Sequence, residues 1–139
     1  MSDIRWKQRH SNYTKMLKIL KNNIESDDYS EIVMIGIAKS FELCFELLWK
    51  LLKDYLQSEE IEIGLISPKN TLKTAAETGL LEKIGANGDV LILAHKTRNE
   101  FVHIYDDEKF TEAFKQIKTS YLPEMLKVDV FFREILDDE

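Results

Sequence analysis

Trp6, His10, Tyr13, Leu17, Leu20 and Ile24 recur at alternating steps of four and three, the spacing that lines one face of an α-helix. Lys15, Lys18, Lys21 and Glu25 fall outside this stripe. Asp3 to about Ser26 therefore reads as an amphipathic helix with one buried face. Asp27-Asp28 interrupts it, and Asp28 with Glu31 three residues later has the form of a capping box. A second helix is expected from about Tyr29 to Leu56. It carries Ile32, Val33, Ile35, Ile37, Phe41, Leu43, Phe45, Leu47, Leu48, Trp49, Leu51, Leu52, Tyr55 and Leu56. These lie on nearly all sides, so the helix must be covered on more than one face. It is either central in a bundle, or central and also part of an interface between copies. At the usual rise it spans about 40 Å and sets the long axis of the domain. Glu42 and Glu46, in the middle of this run, must meet a cleft, a partner or a cation.

Gln57 to Ile66 is a polar connection with an apolar end. Ser67-Pro68 predicts a helix start, with the serine as N-cap and the proline at the first helical position. That helix passes through Leu72, Ala75 and Ala76 and stops at Gly79. Leu80 to Asn87 is expected to be a loop, with Asn87-Gly88 as its closing turn. Val90, Leu91, Leu93, Ala94 and Phe101 define a fourth helix that loosens between His103 and Asp107. A fifth runs from about Glu108 through Phe110, Ala113, Phe114 and Ile117. Pro123 marks a break, or the start of a last stretch with Met125, Leu126, Val130, Phe131, Ile135 and Leu136. No internal repeat or low-complexity segment appears. The pattern predicts an all-α fold, a bundle of about five helices forming a single domain over residues 1–139.

Composition narrows the picture further. A chain of 139 residues has material for one core. With 5 glycines and 2 prolines it lacks the breakers that turn-dense sandwiches and barrels require. No apolar run approaches the roughly 20 residues of a membrane span. The first residues, MSDIRWKQRHSNY, contain no signal-peptide core, so a cytoplasmic location is expected. The single cysteine, Cys44, rules out an internal disulfide and a cysteine-based zinc site. A net charge of −6 argues against holding nucleic acid by a broad basic surface. It leaves room for a small local basic site.

The densest polar cluster runs from His95 to Asp106: His95-Lys96-Thr97-Arg98-Asn99-Glu100-Phe101-Val102-His103-Ile104-Tyr105-Asp106. On a helix Arg98 and Tyr105, seven apart, nearly eclipse each other, while His95, Asn99 and His103 form a second line. Arg98 and His103 diverge by about 140° on a regular helix. They converge on one substrate only if the helix unwinds near His103, or if a twofold dimer brings two copies together. Their joint chemistry is phosphate-centred: arginine offers a charged fork for phosphoryl oxygens and histidine transfers protons near neutral pH. Such chemistry requires neither metal nor cofactor. Plainer readings use the same residues. Arg98 and His103 also suit a surface or helix-end pair, with His103 as a cationic C-cap and Tyr105 as half-buried packing. Two histidines without a cysteine or a placed carboxylate make a poor metal set. Cys44, with no cation beside it, reads as a small buried hydrophobe. Glu42 and Glu46 read as polar contacts across the bundle, or as a carboxylate pair. Phosphate-cradling glycine loops, Ser/His/Asp sets and HExxH are absent.

At these residues the sequence resembles a known family. Lys39 to Leu56, KSFELCFELLWKLLKDYL, is similar to the F-E-x-x-F-E-L-x-W-K-x-L-K-D-Y-L core of the nucleotidyltransferase substrate-binding proteins, small helical proteins of the HEPN class. Ser67-Pro68, Ala75-Ala76 and Gly79-Leu80 resemble its S-P-R…A…G-L segment. Arg98-Asn99, His103 and Tyr105-Asp106 resemble its R-N-x-x-x-H-x-Y-[DN] stretch, and Tyr121-Leu122-Pro123 its Y-L-P. The resemblance covers roughly Trp6 to Leu136. It implies an antiparallel, dimeric helical bundle that acts with a minimal nucleotidyltransferase. In many such proteins the R-x4-H motif is a metal-independent ribonuclease site at the dimer cleft, and the pair forms a toxin–antitoxin module. Where H-x-Y follows, the transferase adenylylates the tyrosine and silences the toxin. Carried onto this chain, the resemblance implies that Arg98 holds the scissile phosphate and His103 moves the protons. Asn99 becomes a polar helper and Tyr105 the modification acceptor, with RNA as substrate. The alternative is a non-catalytic subunit that presents a substrate or nucleotide to the transferase. The chain departs from the family pattern at Glu100-Phe101-Val102, where small residues or threonine are common, and so adds a carboxylate beside Arg98.

Overall fold

The computed structural model describes residues 2–26, 28, 30–101 and 107–139. The protein is an all-α helical bundle. Its helices are α1 (Ser2–Glu25), α2 (Glu31–Ser58), α3 (Pro68–Glu77), α4 (Leu80–Ile84), α5 (Gly88–Glu100), α6 (Asp107–Gln116) and α7 (Leu122–Asp137), with a π-helical turn (Ile117–Tyr121) joining the last two. No described helix is long and apolar enough to cross a membrane.

The start of α2 differs from the expected capping box. Ser30, not Asp28, is the N-cap: the Val33 N–H donates to its hydroxyl at 3.4 Å, and the Asp28 carboxylate accepts from the Ser30 N–H at 2.9 Å. A cap must stand immediately before the first helical residue to reach the free N–H groups of the first turn, and Asp28 is two residues too early. At α3 the expected start holds, with Asn70 N–H donating to the Ser67 hydroxyl at 3.1 Å and Pro68 in the first turn. Gly79 ends α3 at φ 84°, a left-handed conformation that glycine adopts without a Cβ penalty. The expected loop after it is instead the short helix α4. Leu80, Leu81 and Ile84 are all buried, and that spacing puts three apolar side chains on one helical face. Of the two expectations at Pro123, the start of a last stretch holds: α7 begins at Leu122 with the proline in its first turn, joined to α6 through the π turn without a break. Proline cannot supply the N–H that the preceding turn needs, and the helix widens to i→i+5 pairing, with Leu122 N–H reaching Ile117 O, rather than stopping.

The core is built on the α1–α2 hairpin. Trp6, Tyr13, Leu17, Leu20 and Ile24 of α1 are buried, as the stripe predicted. On α2, Ile37, Phe41, Cys44, Phe45, Leu48, Leu51 and Leu52 are all 0% exposed within one chain. Each large side chain of this kind contributes about 1.5–3 kcal/mol by leaving water. Within one chain, α1, α3 and α5 already cover most of Phe41 to Leu52, so the helix is central in the bundle as the pattern implied. Leu43 remains 39% exposed, and towards the start of α2 Ile32 and Ile35 are 77% and 60% exposed.

Polar contacts lock α7 onto α1. The Tyr13 hydroxyl donates to Met125 O at 2.7 Å. His10 Nε2 and the Thr14 hydroxyl donate to Asp129 Oδ1 at 2.9 and 2.6 Å, and Arg133 bonds the other oxygen at 2.6 Å. Burial alone would raise the Asp129 carboxyl, but these hydrogen bonds and the Arg133 charge outweigh it and hold it at about 2. A carboxyl depressed in the folded state stabilises the fold above its ordinary range and loses that contribution as pH falls. We predict that urea stability falls from about pH 4 towards pH 2. Asp129→Asn should cost about 1–3 kcal/mol at pH 7, because it weakens the partnering of His10 and Thr14, and should flatten this acid dependence. Chemical denaturation at several pH values measures both.

Candidate functional site

The last turn of α5 brings Arg98 and Asn99 to the rim of a cleft. Asn87 starts the helix, accepting from the Asp89 and Val90 N–H groups at 3.0 and 3.3 Å. Its own N–H donates to the Glu124 carboxylate at 2.6 Å, which ties the start of α5 to α7. Leu91 and Ala94 face the core. Further along, the Thr97 and Tyr121 hydroxyls are 2.7 Å apart, and the Tyr121 ring stacks on Phe41 at 5.7 Å. Tyr121 closes the π turn, so the widened helix at Pro123 presents a buried anchor to the residue preceding Arg98.

Arg98 is held from the other side by α2. Its Nη2 donates to Glu46 Oε2 at 2.6 Å and its Nη1 to Asn99 Oδ1 at 3.3 Å. Glu46 also accepts from Trp49 Nε1 at 3.1 Å and pairs with Lys50 at 3.1 Å. Of the three companions the sequence allowed for the α2 carboxylates, Glu46 has a cation. Glu42 lies within 3.8 Å of Lys39. Burial alone would raise the Glu46 carboxyl, but the hydrogen bonds from Trp49 and Lys50 and the charges of Arg98 and Lys50 outweigh it and hold it below the ordinary carboxylate range. The cleft has a volume of ≈ 340 Å³ and is lined by Lys39, Glu42, Leu43, Glu46, Arg98 and Asn99. Two cations and two carboxylates nearly cancel there.

His95, one turn before Asn99, stacks on Phe45 at 5.6 Å, and its Nε2 is 3.3 Å from Asn99 Nδ2. Its pKa lies below the ordinary histidine value, through burial first and then the nearby Arg98 charge, while Glu46 acts in the opposite sense. Cys44 is the buried hydrophobe that its neighbours suggested, its thiol pushed up to about 12 by burial.

The structure thus brings Arg98 and Asn99 together. His103 and Tyr105 lie outside the described residues. Sequence reasoning missed the Arg98–Glu46 pair and the Tyr121–Thr97 anchor. Glu46 carried a usable signal, a carboxylate in the middle of an otherwise apolar helix, but nothing local to α2 identified its partner 52 residues away.

The family model described as "Nucleotidyltransferase substrate binding protein like" matches residues 8–134. No curated protein matches the chain.

The arrangement makes His95 a reporter of the cleft. Removing the positive Arg98 in Arg98→Ala should raise the His95 pKa towards its ordinary value of 6.5. Removing the negative charge in Glu46→Gln should lower it further. Imidazole chemical shifts followed through a pH titration check both directions, and a His95 that ignores both substitutions contradicts the geometry.

Proposed function

This chain belongs to the nucleotidyltransferase substrate-binding-protein-like family, and from that premise we propose that it is the toxin of a HEPN-type toxin–antitoxin module, partnered with a minimal nucleotidyltransferase. In this reading it is a metal-independent endoribonuclease whose Arg98–His103 site is silenced by adenylylation of Tyr105.

The observation that carries the reading is the placing of Arg98. It is packed and oriented from two sides, yet its guanidinium reaches a solvent-open cleft in the turn that leads into His103 and Tyr105. A guanidinium fixed in this way can hold a phosphodiester by charge-assisted hydrogen bonds. His103 then takes the proton of the adjacent ribose 2′-hydroxyl. That oxygen attacks phosphorus and the bond to the 5′ oxygen breaks. The departing oxygen receives a proton, leaving a 2′,3′-cyclic phosphate and a 5′-hydroxyl. Arg98 stabilises the charge that builds on the phosphoryl oxygens, and Asn99 steadies the guanidinium through its 3.3 Å hydrogen bond. Silencing follows when the Tyr105 oxygen attacks the α-phosphorus of ATP and pyrophosphate departs. The attached phosphodiester brings a negative charge to Arg98, and its base blocks RNA. The reading includes a homodimer, which places two such sites about a twofold axis. The exposed Ile32, Ile35 and Leu43 of α2 supply an apolar surface for that contact.

One observation favours a second reading. The Glu46 carboxylate already occupies part of the Arg98 guanidinium at 2.6 Å, which suits a non-catalytic subunit that presents a substrate or nucleotide to the transferase. Incubation of the purified protein with total RNA in EDTA separates the two. Cleavage is expected, with His103→Ala slower by about 10²-fold or more, as for other general acid–base groups. Intact RNA throughout, or undiminished cleavage by His103→Ala, overturns the nuclease reading.

A further inference from the structure

A near-neutral cleft cannot by itself hold a polyanion, since the two carboxylates of Glu42 and Glu46 offset Lys39 and Arg98. If RNA is the substrate, as the nuclease reading requires, the phosphates other than the one at Arg98 must be held elsewhere. The charge of the chain is strongly segregated. α1 carries six Lys and Arg against two Asp and Glu, a net of +4, within a chain of net −6. The remaining residues therefore sum to −10, and no other helix exceeds +1.

The cations of α1 divide by face. Lys7 and Arg9, on its flanks, are used internally, paired with Glu139 at 2.7 Å and Asp54 at 3.0 Å. Arg5, Lys15, Lys18 and Lys21 are exposed; at 100° per residue Lys15 lies opposite the core stripe with Lys18 next to it, and Arg5 and Lys21 fall on the two flanks. Lys15 and Lys18 make no ion pair among the described residues, and Lys21 meets Glu25 only at 4.0 Å. Between Arg5 and Asn22 every exposed residue is cationic, amide or hydroxyl, except Ile19. Those are the side-chain types that contact phosphate and sugar, whereas a protein-docking surface is expected to have an apolar centre. α1 also packs along α2, the helix that carries Lys39, Glu42 and Glu46 of the cleft.

We propose that the outer face of α1 is a sequence-independent docking surface for a single-stranded RNA backbone, with Lys15 and Lys18 at its centre. Among exposed residues it offers no aromatic platform, so binding is electrostatic and releases counterions. Three to four phosphate contacts give a slope of log K against log salt of about −2 to −3 for a single strand.

The probe is a fluorescein-labelled single-stranded RNA made uncleavable by 2′-O-methyl ribose, read by anisotropy across a salt series. This measures binding without requiring the nuclease. The wild type should show the slope above. Lys15→Glu/Lys18→Glu should bind at least about tenfold more weakly at low salt, with the slope shallower by about one, while its circular dichroism is unchanged. Lys115→Glu/Lys118→Glu, a reversal of equal size elsewhere, should bind as the wild type does. Equal binding by the α1 variant, or an equal loss with the control variant, overturns the proposal. So does a variant that keeps RNA but loses the partner transferase in a pull-down, which would make the face a site for an acidic protein. If Lys15 and Lys18 govern binding but unmodified RNA is never cleaved, the nuclease reading fails and this surface stands. If unmodified RNA is cleaved and the α1 variant binds as well as the wild type, the surface fails and the nuclease stands.

Discussion

The structure depends on α2 being buried around most of its circumference. A helix with apolar residues on nearly every side has to be covered, and α1, α3 and α5 pack against it. In such a helix a carboxylate is costly unless it is paired, and this is what fixes the site. Glu46 collects Trp49, Lys50 and Arg98, so the requirement to satisfy one partly buried charge also orients the guanidinium on α5. Stability and chemistry share one interaction at this point.

The same interaction sets the electrostatic character of the cleft. Glu46 holds Arg98 in place and takes part of its charge, so anything negative that enters must compete with a carboxylate at 2.6 Å. A fixed guanidinium with reduced charge favours recognition by geometry over attraction from a distance. In the proposed division of roles, long-range attraction falls to α1, the one strongly cationic helix of an acidic chain. Within the same proposal, modification of one tyrosine would be enough to switch the site. A near-balanced cleft needs little added negative charge to turn repulsive towards phosphate.

Much of the fold was legible in the sequence because its signals are local and periodic. The α1 stripe, the continuous apolar character of α2, Ser67-Pro68 and Gly79 each act within a few residues, and each appears as read. The misses have physical causes. The N-cap of α2 falls to Ser30 because capping is decided by immediate adjacency. α4 escaped notice because three apolar residues are too few to show a period. Pro123 opens the last helix, as one of its two readings had it, but the π turn that joins this helix to the one before left no local signal. Of the site, Arg98 and Asn99 were legible as residues but their setting was not. Glu46 lies 52 positions from Arg98 and Tyr121 lies 24 from Thr97, and no periodicity links such pairs. The buried Asp54, paired with Arg9 45 residues away, was invisible for the same reason.

The central claim is that this chain is the acceptor of a nucleotidyltransferase and that Tyr105 is the point of transfer. Intact-mass spectrometry of the protein co-expressed with its cognate transferase tests it most directly. The expected result is mass increments of one AMP or its multiples on the wild type and none on Tyr105→Phe. An unmodified wild-type chain, or increments that persist in Tyr105→Phe, would contradict it.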